Sequence, residues 1–221
     1  MISQYGIMDK NNDIKQKQMS LEIEPSLVIA CGAIARELQF LKQLNKWRYM
    51  KIQCLPAKLH DRPDEIPIAV ETAILKYKNI FIAYADCGTG GLLDMILEKY
   101  GLTRLPGAHC YEFFSGSENF LTTSRSCLGT FYLTDFLTRH FDRLVKEGLD
   151  LIGHPELIKD YFKNYEKLVY LSQIHSTKLQ QITRLLTKYL GLGYSYEYTG
   201  LTFFEKDIKE NIIQWNTNAL N

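Results

Sequence analysis

The chain has 221 residues, 46% of them hydrophobic, with 26 Lys and Arg against 25 Asp and Glu for a formal net charge of +1. That content can bury a sizeable core as one large domain or two small lobes, and the balanced charge, with no dense basic stripe, argues against a nucleic-acid partner held by counterion release. No stretch approaches the ~20 apolar residues of a membrane span, and the opening MISQYGIMDKNNDIKQKQMSLEIE lacks a continuous apolar run, so neither membrane nor secretory signal is expected and the cytoplasm is the expected compartment.

Residues 1–24 are polar and read as a flexible N-terminal extension, and residues 25–221 as a single α/β domain. Leu27–Ala30 is an apolar strand that ends in Cys31-Gly32-Ala33 and gives way to a helix carrying Ile34, Leu38, Leu41 and Leu44 at helical spacing. A second strand around 49–55 alternates, with Met50, Ile52 and Cys54 on its core face. It leads to a proline-bounded loop holding His60, and Asp64-Glu65 open the next helix. Ile80–Ala85 has no polar face and reads as a strand buried on both sides of a parallel sheet. It ends in Asp86-Cys87-Gly88-Thr89-Gly90-Gly91 before a helix through Leu97. A short strand, Leu102–Pro106, then reaches His109-Cys110-Tyr111-Glu112 at the spacing a crossover needs.

From Phe113 the character changes. Ser115–Ser126 is a polar loop, and Phe131–Gly148 reads as one strongly amphipathic helix; residues 113–166 together would form a helical sub-lobe. A helix from Pro155, a strand at Leu168–Leu171, a helix ending at Gly191, a strand at Tyr194–Thr199 and a short closing helix follow, continuing the sheet. The expected fold is therefore a mostly parallel, Rossmann-like α/β sheet with flanking helices and a helix-rich second half.

Five cysteines with no CxxC pair, in a chain expected to be cytosolic, leave buried thiols, metal ligands or nucleophiles, with packing the default for any one of them. In open α/β sheets, ligands bind outside the carboxyl ends of the strands. Cys31, His60, Cys87 and the pair His109-Cys110 follow four consecutive strands, so each can reach one crevice. As a set they suit a divalent metal, zinc or iron. Asp86 and Glu112 flank them as groups that orient the ligands or act as general acid and base. Gly88, Thr89, Gly90 and Gly91 at a helix N-terminus offer backbone N–H groups to an anionic cofactor, although neither the P-loop nor the dinucleotide fingerprint is complete.

The segments CGAIARE, LPAKLHDRP, DCGTGG, HCYE and GTFYLTDFLTRHFDRL resemble a prokaryotic family known only as a domain of unknown function, over about Leu27 to Glu205. The family's members often occur beside corrinoid-dependent methyltransferase systems. The resemblance therefore implies a role in one-carbon metabolism, with a corrinoid as cofactor by context and a corrinoid protein or methyltransferase as partner. The leading expectation is a metal-dependent enzyme or accessory protein that takes a small-molecule substrate and transfers methyl to a thiol. Two alternatives stand beside it. One is a metal-free acid/base enzyme working with Cys31 and Cys87, whose Cys87-Gly88-Thr89 is loosely similar to cofactor-independent amino-acid racemases; the other is a small-ligand or methyltransferase-docking module.

Overall fold

The computed structural model describes residues 26–48, 50–76, 80–116, 120 and 128–219. The expected extension over residues 1–24 lies outside them, as do Cys127 and most of the polar stretch between 115 and 126. Two three-stranded parallel sheets with flanking helices make up the fold, the α/β class the strand and helix patterns predict.

The first sheet has β1 (Ser26–Cys31) at its centre, between β2 (Met50–Leu55) and β3 (Ile80–Ala83). Leu27 through Cys31 and all of β3 are buried, as unbroken apolar strands covered on both faces should be. Helices α1 (Ala35–Leu44), α2 (Glu65–Ile74) and α3 (Leu92–Lys99) follow the three strands in turn. Strand β2 is an edge, and its inward face runs out of core along its length: Met50 is buried, Ile52 partly so, and Cys54 exposed. The expectation of a core-facing Cys54 is corrected accordingly. The short strand expected at Leu102–Pro106 shrinks to a single parallel bridge, Arg104 to Ile82, with Leu105 N–H donating to the Ile82 carbonyl at 3.2 Å. Pro106 has no N–H to extend the ladder.

The second half does not continue this sheet. It builds its own, in the order β4 (Thr130–Thr134), β5 (Lys167–Ser172), β6 (Gly193–Tyr198). Here the largest difference from the sequence pattern appears, because the single helix expected over Phe131–Gly148 opens as strand β4. Phe131 and Leu133 pack into the core under this sheet, while Tyr132 packs on the opposite side with Val169 and Leu171. That period of two belongs to a strand. Thr134 ends the strand and caps α5 (Asp135–Arg139) by accepting from Leu137 N–H at 3.2 Å. The continuation, Asp142–Lys146, is a wide π-type turn before the short α6 (Leu157–Phe162). Helix α7 (Thr177–Leu190) ends as its glycine predicts, with Gly191 left-handed at φ 72°.

The closing helix, α8 (Thr202–Ala219), returns to the first sheet. Phe204 and Ile208 are fully buried in its core, and the Phe204 ring lies 5.9 Å from Phe113 and 5.6 Å from Phe114. Tyr111, just ahead of the single-turn α4 (Glu112–Ser115), packs against both the first core and the small cluster of Phe120, Tyr132, Val169 and Leu171. Among the described residues no helix is long and apolar enough to cross a membrane.

Candidate thiol and metal centre

Strand order 2-1-3 places a topological switch between β1 and β3, the position at which such sheets open a crevice at their carboxyl ends. Cys31 is the last residue of β1, and its Sγ accepts from Ala33 N–H at 3.4 Å as the cap of the following turn. Gly32 next to it allows close contact with β2, since a Cβ there would lie 2.8 Å from the Leu55 carbonyl oxygen. On the other side of the switch, β3 runs into Cys87, which is buried in a left-handed conformation at φ 50°, a geometry a non-glycine residue adopts at a cost.

The loop carrying His109 and Cys110 is stitched to that turn. Asp86 N–H donates to the Gly107 carbonyl at 3.1 Å and Cys87 N–H to the Ala108 carbonyl at 2.7 Å. Glu112 holds the loop from within: its buried carboxylate accepts from Ala108 N–H at 2.8 Å, and Gly107, at φ 116°, leaves the room it occupies. The result is that Cys87 and Cys110 stand with their sulfurs 3.1 Å apart. The Cys110 thiol is also in polar contact with Cys31, and the His60 imidazole, on the turn Ala57–Asp61, with Cys87. Three thiols and one imidazole, from the loops after three strands and after the Arg104 bridge, thus stand together.

Its electrostatics follow from that connectivity. Donation from Cys110 pulls the Cys87 thiol down to about 5 against the opposing effect of burial, and His60 assists. The same contact with Cys110 lowers Cys31. Cys110 itself, bonded to both, is pushed well up and keeps its proton. His60 is raised, mainly by its bond to Cys87. These shifts favour a thiolate at Cys87, a protonated thiol at Cys110 and a more basic imidazole at His60.

His109 does not join it. Its ring stacks on Tyr111 at 4.9 Å and stands 6.0 Å from His60, its Nδ1 is buried without a hydrogen-bond partner, and burial lowers its pKa. Asp86 turns away from the sulfurs, accepting from Thr89 Oγ1 at 2.7 Å, Gly91 N–H at 3.0 Å and Gly90 N–H at 3.1 Å. Burial alone would raise this carboxyl, but those bonds outweigh it and lower it. The glycine-loop amides offered to an anion are thus engaged by the chain's own carboxylate.

The pattern of residue types also leaves two neighbours unmarked. Tyr84, fully buried near the end of the apolar run, lies close to Cys31, and its hydroxyl is buried without a hydrogen-bond partner; being the one polar-tipped side chain of that run was its only signal. Glu37, which reads as a solvated residue of the first helix, is buried with one carboxylate oxygen unpartnered. It lies near Asp135, which accepts from the Tyr170 hydroxyl at 2.6 Å.

A cavity of about 350 Å³ opens beside the cluster, between the two sheets. Cys31, Cys110, His60 and His109 line one side; Thr130, Phe131, Tyr132 and Phe136 line the other. As the cluster stands, no group of three His, Cys, Asp or Glu among the described residues is placed to hold a metal ion. Thiolates on a tetrahedral zinc with ~2.3 Å bonds stand about 3.8 Å apart, so sulfurs bonded to each other at 3.1 Å must part before an ion can enter.

No curated protein and no solved structure matches the chain. A family model described as "Protein of unknown function (DUF1638)" matches residues 54–208. The matched span takes in His60, Cys87, His109 and Cys110, and Cys31 precedes it. With more than two thirds of its length covered, the chain belongs to the DUF1638 family.

Proposed function

We propose that the chain is a metal-dependent thiol enzyme or accessory protein of one-carbon metabolism, with Cys31, Cys87 and Cys110 as ligands of zinc or iron and His60 beside the open position. The observation that carries this reading is the convergence of Cys31, Cys87, Cys110 and His60 beside one cavity, whose wall holds Cys31, Cys110 and His60. The soft donor set suits those ions, and parting the sulfurs by about 0.7 Å needs only small side-chain rotations. Donors spread over four loops depend on the whole fold, as catalytic sites do.

The bound ion supplies a Lewis acid that lowers the pKa of a thiol substrate. The residues do the rest. His60 lines the cavity and takes the thiol proton; the aromatic walls exclude water from the reacting sulfur. Methyl transfer then breaks the bond between methyl and the donor's heteroatom, whose electron pair stays on that atom, and forms an S–C bond from the sulfur lone pair. The resemblance drawn from the sequence motifs, with the corrinoid-dependent methyltransferase context it implies, is what supports a cytoplasmic setting with a corrinoid protein or methyltransferase as partner.

The racemase-like alternative needs a substrate carbon between Cys31 and Cys87, yet the Cys110 thiol stands against Cys87 at 3.1 Å. Elemental analysis of untagged protein tests the proposal. It expects near-stoichiometric zinc or iron that a Cys87→Ala, Cys110→Ala variant loses; a folded, metal-free protein that takes up neither ion contradicts it.

A further inference from the structure

The cavity beside the thiols is unusual in what lines it. Six of its walls are aromatic: Tyr111, Phe114, Phe131, Tyr132, Phe136 and Tyr165. They come from both halves of the chain, and two of them, Tyr111 and Tyr132, stack across the gap at 5.3 Å. Tyr165 packs edge-on against Phe131 at 5.6 Å and is partly exposed, so it stands toward solvent. Among the described lining residues there is no Lys or Arg, and the one carboxylate is that of Asp61.

This lining discriminates among ligand classes. An anionic substrate, such as an amino acid or a phosphate ester, would need a cationic anchor; the described walls supply no lysine or arginine, and their two histidines are engaged, His60 by Cys87 and His109 by Tyr111. A neutral apolar ligand would gain from burial but nothing from the Asp61 carboxylate. Aromatic faces attract a cation through their quadrupole, most of all one too weakly hydrated to resist leaving water, and quaternary ammonium groups are recognised in this way. A carboxylate at the side of the cavity adds to the same preference. The volume of about 350 Å³ falls in the range of small-molecule pockets.

We propose that the cavity binds a methylated ammonium compound, with the onium group among the aromatic walls and Asp61 as its counter-charge. This names the substrate class of the same site and rests on reading the cavity as the substrate side of the thiol cluster.

The test is calorimetric titration of the full chain with choline and with 3,3-dimethyl-1-butanol, its uncharged isostere, in protein stripped of metal by chelator and again after zinc loading. Choline should bind about tenfold more tightly than the isostere. Asp61→Asn and Tyr165→Leu should each weaken choline several-fold while leaving the isostere within about twofold, with an unchanged circular dichroism spectrum. Both positions are exposed enough to change without disturbing a core. Equal affinity for the two compounds overturns the proposal, as does the absence of choline binding in folded protein at about 10 mM. Choline binding without metal uptake would sink the metal reading and leave this one standing; metal uptake without choline binding would do the reverse.

Discussion

Replacing Gly107 by alanine would put a methyl group 2.9 Å from the Glu112 carboxyl carbon and about 3 Å from both of its oxygens. The carboxylate cannot yield freely, because it is buried and holds Ala108 N–H. Gly107 also sits at φ 116°, a region that costs an L-residue about 1–2 kcal/mol, and forced overpacking adds about 1–3 kcal/mol. The expected loss is therefore about 2–5 kcal/mol. Gly90→Ala is the control: it sits at φ 60° with open space around its Cβ, so only the backbone cost of about 1–2 kcal/mol applies. Urea denaturation reads both as shifts in midpoint at constant slope. The clash term should vanish in a Glu112→Ala background, where Gly107→Ala falls to the cost of the control. The Gly107 and Ala108 carbonyls receive Asp86 and Cys87 N–H, so Gly107→Ala should also reduce metal content. If Gly107→Ala costs no more than Gly90→Ala, or costs the same with and without Glu112, Glu112 is not the support of this loop.

Three further outcomes follow from the same geometry. Thiolate absorbance near 240 nm should titrate with a component near 5 from Cys87, and Cys110→Ser should move that component up more than His60→Ala does, since the Cys110 bond is the larger cause; a shift with His60→Ala alone would refute the ordering. Glu37 has its carboxyl raised by burial, so its folded form favours the proton: its contribution is present below the unfolded value and is lost as pH rises through the folded one. Glu37→Gln should thus stabilise the protein at pH 8 and have little effect near pH 4, in denaturation series at the two pH values; the opposite trend would mean Glu37 is paired. Phe204→Ala empties a fully buried site against Phe113 and Phe114 and should cost about 3–5 kcal/mol in the same assay, whereas a loss below 1 kcal/mol would mean that α8 is not fixed to the first sheet.

The site was legible where sequence position and strand direction coincide. Cys31, Cys87 and Cys110 follow parallel strands or the residue bridged to one, so knowing the strands places the sulfurs at one end of the sheet. What remained hidden depended on orientation. His60 and His109 are equivalent by position, and only stacking on Tyr111 draws His109 away from the thiols. Asp86 looks like a partner for the cysteines, but the Gly90 and Gly91 amides and the Thr89 hydroxyl are nearer donors to its carboxylate. In the second half, Phe131–Gly148 satisfies a helical pattern over most of its length. Its first residues are nevertheless aromatic or β-branched, and pairing with β5 decides for the strand. The cavity owes its existence to that switch, because Phe131 and Tyr132 line it from β4.

The central claim, that three thiols from separate strand ends are the ligands of one metal ion, is tested most directly by X-ray absorption at the metal edge on zinc-loaded protein. The account predicts three sulfur scatterers at about 2.3 Å with at most one nitrogen near 2.0–2.1 Å, falling to two sulfurs in a Cys110→Ala variant. A shell of nitrogen and oxygen alone, or one unchanged in that variant, would contradict it.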